Sequence, residues 1–348
     1  MAFDASYNST PPTGSGVGNR EQLLDLTTVL APRQAPVYGL LPKQAATADL
    51  VEWTVDNLRA PNADNAVAEG SDVGAFGGGD YVAQFGSLSR LNNRLQHFRD
   101  TFNVSKKQEM FDSVTPVRIQ EAEEKAASQV LRDIESAICS DNGAVTGGAT
   151  ADPVTNAGKL RGLGAWISDT AQTDDVTSVP ADFRTKPAAI LADAAEELTE
   201  ARFNGMLTGI FEETGENQDM ILVAGTQVRN SIIDGFTRVH HVAANANHVS
   251  GNSTTFNQGD GTEINYNVEI FQGPYGIVKI ISANPKCLPD QKRAYLLDPS
   301  LLGWAEGMSM GSTMLEDQGG GPRGYIDAMG TLCVKGPNGL GKITDFAV

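Results

Sequence analysis

A lysine behind two spaced glycines, three histidines within nine residues, and three carboxylates within four are the groups whose spacing invites chemistry. Gly336, Gly341 and Lys342 are spaced like a phosphate-binding loop, which wraps anionic oxygens in backbone N–H groups at the start of a helix. Ile343 then stands where a Ser or Thr should hold magnesium, and Val348 follows too soon for that helix. Pro337-Asn338-Gly339 predicts a tight turn between two strands instead. His240, His241 and His248 could be imagined around a metal. Adjacent histidines point to opposite sides of an extended chain, however, and the Ala, Asn and Ser around them supply no rigid frame, so a solvated loop is expected. Glu121, Glu123 and Glu124 belong to the hydrated side of a helical repeat and make no acid–base pair. The glycines at 74 and 77 to 79 do not fit a dinucleotide fingerprint. The reading therefore assigns no catalytic, cofactor-binding or metal site.

The 348 residues suffice for one large domain or two moderate ones. With 43 Asp and Glu against 26 Lys and Arg, the net charge of -17 is the opposite of the basic face carried by a nucleic-acid reader. Cys139, Cys287 and Cys333 are unclustered and read as small apolar residues in a reducing environment. Met1 to Gly18 is polar and rich in Ser, Thr, Pro and Gly; it lacks the apolar core of a signal peptide and predicts a flexible arm. No run of about 18 apolar residues suggests a membrane span.

Behind these groups the periodicities predict an α+β chain. Leu23 to Leu30 suits a short helix, and Leu50 to Val55 a strand carrying Trp53. Residues 59 to 90 hold Pro61, several Asn and Asp, and a glycine group, with Val67, Val73, Phe76, Tyr81, Val82 and Phe85 scattered among them. Such a segment cannot bury its own apolar side chains, so a long loop that lies on a neighbouring molecule is expected, returning as a strand over Leu91 to Val104. The clearest helix is Val117 to Ser140, where Ile119, Ala122, Ala126, Val130, Ile134 and Ala137 recur every three or four residues and Glu121 pairs with Lys125. A second runs from Glu200 to Thr214, capped by Thr199 and followed by Gly215. Met220 to Ala224 suits a buried strand and Gln227 to Phe236 a helix. Further strands are expected at Tyr266 to Phe271, Gly276 to Ala283, Arg293 to Leu297, Tyr325 to Val334 and Lys342 to Phe346.

Several runs together resemble one family, the tailed-bacteriophage major capsid (major head) proteins. They are Gly18-Asn19-Arg20-Glu21, Glu52-Trp53-Thr54-Val55-Asp56 with Leu58-Ala60-Pro61, and Arg94-Leu95-Gln96 leading to Phe102-Asn103-Val104-Ser105. Arg132-Asp133-Ile134-Glu135 and Leu160-Gly162-Leu163-Ala165-Trp166 continue the series, so the similarity spans essentially the whole chain. The resemblance implies the Hong-Kong-ninety-seven-type capsid fold. On this numbering it gives an N-terminal arm over 1–58, an extended β-hairpin loop over 59–106, and a peripheral domain of 107–189 and 311–348 with a spine helix at 117–140. The axial domain falls at 190–310.

It further implies a homo-oligomer of pentamers and hexamers in an icosahedral virion shell, made in the host cytoplasm, that contacts packaged double-stranded DNA non-specifically. A portal, a separate scaffolding protein and a decoration protein are the implied partners, with no membrane. Trp53, Phe76, Tyr81 and Phe85 are the candidate intersubunit contacts. No lysine lies between Lys43 and Lys106, so the loop has no amine for the covalent cross-link that some members of this fold form. A virion decoration or adhesion protein, and an enzyme with a dispersed site, are the other readings carried forward.

Overall fold

The structure, a computed structural model, describes residues 35–58, 60–61, 63–64, 66, 69–70, 88–110, 119–148, 157–216, 219–233 and 270–347. The expected short helix at 23–30, the three histidines, and Phe76, Tyr81 and Phe85 lie outside them.

In chain order the helices are α1 (Pro36–Leu40), α2 (Lys106–Met110), α3 (Ile119–Ile138), α4 (Leu163–Trp166) and α5 (Glu200–Thr214), and a further helical segment covers 226–233, overlapping the helix expected from Gln227 to Phe236. The strands are β1 (Lys43–Ala45), β2 (Leu50–Val55), β3 (Ser89–Arg94), β4 (Gln96–Asn103), β5 (Ile190–Glu197), β6 (Met220–Ala224), β7 (Ile270–Gly273), β8 (Gly276–Ser282), β9 (Ala294–Leu297), β10 (Leu302–Leu315), β11 (Arg323–Val334) and β12 (Gly341–Ala347). They form a four-stranded sheet in the order β1-β10-β11-β4, a six-stranded sheet in the order β5-β12-β9-β6-β8-β7, and a separate β2-β3 ladder.

The helix expected over 117–140 is α3. Its apolar repeat buries Ala126, Val130, Ile134 and Ile138 in a core shared with Phe98 and Phe102 of β4, Ile326, Ala328 and Leu332 of β11, and Trp304 of β10. Lys125 pairs with Glu121 one turn away at 2.6 Å. Of the three carboxylates assigned to its wet face, only Glu124 is exposed; Glu121 and Glu123 are half-buried. A second core lies between α5, through Phe203, Met206, Leu207 and Ile210, and the six-stranded sheet. As expected, Thr199 caps α5 by accepting the Arg202 N–H. Gly215 closes the helix at φ 70°, a left-handed conformation that glycine adopts without steric cost.

Two expectations need correction. The strand predicted over Leu91 to Val104 is two strands: the chain breaks at Leu95, where β3 leaves the ladder with β2 and β4 joins β11. Tertiary pairing decides this, because the two halves of one alternating run face different partners. The 14-residue β10 was not anticipated, since Gly303, Gly307 and Gly311 dilute its apolar pattern. Of the closing strands, β11 lies beneath α3 while β12 pairs with β5 and β9 in the six-stranded sheet.

Candidate assembly interface

The ladder of β2 and β3 closes a long excursion of the chain. Leu50 pairs with Arg94 at one end and Val55 with Ser89 at the other, so residues 56–88 leave and return at a single point. Flanking that point, Leu58 is 90% and Leu88 70% exposed. The ladder is fixed to the body by Asn93, which is fully buried. Its amide donates to Leu332 O at 2.7 Å and Arg161 O at 3.3 Å, and its carbonyl accepts the Arg161 N–H at 2.8 Å. Trp53 works on the same junction. Its indole N–H donates to Val334 O at 3.0 Å and its ring lies 5.7 Å from that of Trp166, so most of this candidate contact is spent on its own subunit. Phe76, Tyr81 and Phe85 lie outside the described residues.

A second outward feature is the distal half of β10. One edge pairs with β11 along its length, from Leu302↔Val334 to Leu315↔Arg323. The other edge is covered by β1 only over Trp304 to Glu306; beyond that, no partner strand is present among the described residues. An edge of this kind leaves backbone donors and acceptors ready for another strand. Met308, Met310, Met314 and Leu315 are exposed along it, Met314 to 52%. The hairpin tip beyond is held by Lys106, whose ammonium pairs with Asp317 at 2.6 Å. Hydrogen bonds from Lys106 and from the Gly321 and Gly319 N–H groups hold the Asp317 carboxyl down at about 2.

Sequence reading missed the buried polar groups that position these features. Arg161 forms a bidentate pair with Asp174, through Nη2 and through Nε at 2.7 Å, and stacks 4.5 Å from the centre of the Trp166 ring. This braces the segment after α3, which the Asn93 hydrogen bonds to Arg161 tie to the ladder. Glu135, inside the apolar stripe of α3, accepts the Val37 N–H at 2.9 Å and the Tyr38 N–H at 2.8 Å, joining α3 to α1. The available signal for Glu135 was its place next to Ile134 and three residues before Ile138, where a solvated carboxylate has no room.

The motifs that suggested chemistry have structural roles. Pro337–Gly339 is a single 3-10 turn from β11 to β12, as expected, and the Lys342 ammonium donates to Gly164 O at 2.8 Å. Gly307-Met308-Ser309-Met310-Gly311 spells the nucleophile-elbow pattern, which the sequence was expected to lack. It lies inside β10, where no strand-to-helix turn presents the serine. All three cysteines are buried and free. Burial pushes the Cys287 and Cys333 thiols up to about 11, despite opposing contacts from Arg132 and Gln44 respectively.

This architecture matches solved phage capsids over nearly its whole length. The capsid protein of cyanophage P-SCSP1u superposes with a TM-score of 0.61 at 7% identity, covering 100% of this chain and 99% of that one. The capsid of cyanophage A-1(L) gives 0.58 at 15% identity, covering 95% and 98%. Mycobacterium phage Bobi gives 0.54 at 10% identity, covering 98% and 96%. At such identities the likeness establishes the fold, the α+β Hong-Kong-ninety-seven-like capsid architecture. No curated protein matches the sequence. The model of one family, described as SU10 major capsid protein, matches residues 6–347. A ladder that joins the two ends of residues 56–88 and a sheet edge left unpaired among the described residues suit a shell subunit, and the chain belongs to the SU10 major capsid protein family, whose members form the shell of the phage head.

Proposed function

We propose that this subunit assembles as pentamers and hexamers into an icosahedral shell around double-stranded DNA, with residues 1–58 as arm, 59–106 as extended loop, 107–189 and 311–348 as peripheral domain and 190–310 as axial domain. Its role is structural rather than catalytic. The observation that carries the reading is the open half of β10, an apolar edge strand of the kind that a monomer normally covers, blunts or charges. A neighbouring copy that covers this edge, with the excursion beginning at Val55 reaching across to another, makes each contact modest and their repetition in a closed lattice strong. The surplus of 17 negative charges suits an inner wall that touches packaged DNA without gripping it. Portal, separate scaffolding protein and decoration protein are the partners of this reading, and the finished particle is the virion, built from subunits made in the host cytoplasm.

Electron microscopy of the purified chain, with and without co-expressed scaffolding protein, tests it. Wild type should give spheres or tubes. Met310→Asp with Met314→Asp should keep the subunit folded and abolish particles, as should replacing Phe76, Tyr81 and Phe85 together with Ser. Normal shells from both variants would remove the basis of the proposal.

A further inference from the structure

The sheet of β1, β10, β11 and β4 turns one face to the core under α3, through Phe98, Phe102, Ile326 and Ala328. Strand pairing puts the alternate residues on the other face: His97 and Arg99 of β4, Arg323, Tyr325 and Asp327 of β11, and Leu315 of β10. Asp327 is the one carboxylate on this half of that face, and it is covered. Its side chain is 13% exposed, with His97 Nε2 and Arg99 Nη2 each 3.3 Å from Oδ2. Arg99, itself half exposed, also lies 4.7 Å from the centre of the Tyr325 ring. Arg323 spends its Nε–H on a neutral group, Glu316 O at 3.3 Å. At the rim, Lys106 and Lys107 balance Glu316 and Asp317. A chain with a net charge of -17 therefore presents here two arginines, an aromatic ring and a 45% exposed leucine against one shielded carboxylate.

The opposite chemistry is carried by residues 71–87, which lie outside the described residues. They hold Asp72 and Asp80, no Lys or Arg, and the aromatic residues Phe76, Tyr81 and Phe85. Where the chain departs towards them decides which copy they can meet. The β2-β3 ladder runs past the Val334 end of β11: Trp53 bonds to Val334 O, and Val55 shares a cleft with Lys335, Gly336 and Asn338. Arg323 begins the same 12-residue strand, about 36 Å back along it. The chain thus leaves from the end of β11 remote from its own arginine-bearing face.

We propose that this face of one subunit receives residues 71–87 of a second copy, with Arg99 and Arg323 meeting Asp72 and Asp80 while Tyr325 and Leu315 pack against the aromatic side chains. The contact is head-to-tail, because each copy offers a different surface, and such contacts close into rings when the rotation permits. Opposite charge selects the pairing, and apolar burial holds it. This inference rests on the shell reading and deepens it by naming the surface that the reaching segment meets.

A photoreactive phenylalanine analogue at position 81 of the full-length chain tests it, in particles assembled from a mixture of light and heavy-isotope subunits. Cross-linked peptides should join light to heavy copies and fall on 97–103 or 323–329. Links confined to one copy, or reaching other parts of the second, would overturn the inference while leaving the shell reading intact; failure of wild type to form particles would instead strike the shell reading itself. Arg99→Gln with Arg323→Glu should lower particle yield several-fold with the near-ultraviolet circular dichroism of the subunit unchanged, and adding Asp72→Lys with Asp80→Lys should restore it. Full yield from the arginine variant, or no recovery on adding the lysines, would count against the pairing. Loss of duplex-DNA binding in that variant at unchanged yield would assign the face to phosphate and overturn it. The cross-link map decides even if the arginine variant fails to fold.

Discussion

Replacing Arg161 with Met isolates the most deeply buried ion pair among the described residues. The Arg161 side chain has no exposure and that of Asp174 has 9%. Asp174 also accepts the Ala144 N–H at 2.9 Å, and Arg161 Nη2 reaches Thr177 O at 3.2 Å. Met fills much of the same volume over Trp166 but donates nothing, so Asp174 would keep its burial and lose its counter-charge. Breaking one half of such a pair costs about 3–5 kcal/mol. At the entropy of unfolding usual for globular chains, that is ~4–7 °C in Tm for a protein of this size. Removing both partners, as Arg161→Met with Asp174→Leu, should recover most of the loss, because an apolar pair carries no desolvated charge.

A pH signature accompanies the stability change. Burial pushes the Asp174 carboxyl up, but the Arg161 hydrogen bond, the Ala144 N–H, the guanidinium charge and the Val176 N–H together hold it below its ordinary value. The pair's contribution is therefore present above the ordinary carboxylate range and disappears as pH falls through the lowered one. Thermal unfolding of the unassembled subunit, followed by near-ultraviolet circular dichroism, reads both effects. A single variant within about 1 kcal/mol of wild type, or a double variant no better than the single, would refute the argument.

Other consequences are local. A Cβ on Gly330 would run into the Trp304 indole, so Gly330→Ala should cost about 1–3 kcal/mol in denaturant unfolding with the m-value unchanged. Thr199→Ala removes the acceptor for the Arg202 N–H and should destabilise the subunit by ~1 kcal/mol. Since no lysine lies between Lys43 and Lys106, assembled particles should show no covalent cross-link from residues 59–105 on denaturing gels; a covalent ladder mapped to them would contradict this.

Periodicity revealed what depends on one face meeting one core. The apolar repeat of α3, the Thr199 and Gly215 boundaries of α5 and the uniformly apolar β6 all follow from neighbours in sequence. What depends on distant partners stayed hidden. Leu95 looks like any member of an alternating run until β3 and β4 are seen to pair with β2 and β11 respectively. Arg161 and Asn93 resemble ordinary surface residues in sequence, because their partners lie 13 to 239 positions away. The interface was legible only as a shortage: residues 59–90 held apolar side chains with no pattern to bury them. Of the four residues named as intersubunit contacts, Trp53, outside that stretch, turns largely inward, and β10, unnoticed in the sequence, supplies the exposed methionines.

Those methionines have a chemical consequence for the free subunit. A thioether in contact with solvent is converted by peroxide to a sulfoxide, which is polar and no longer suits a dry contact. Met308, Met310 and Met314 are open to that reaction in the free subunit, and in the proposed shell, where a neighbour covers the β10 edge, they would be sheltered. Oxidant stress would then spare finished heads while steadily draining the pool of subunits still waiting to be used.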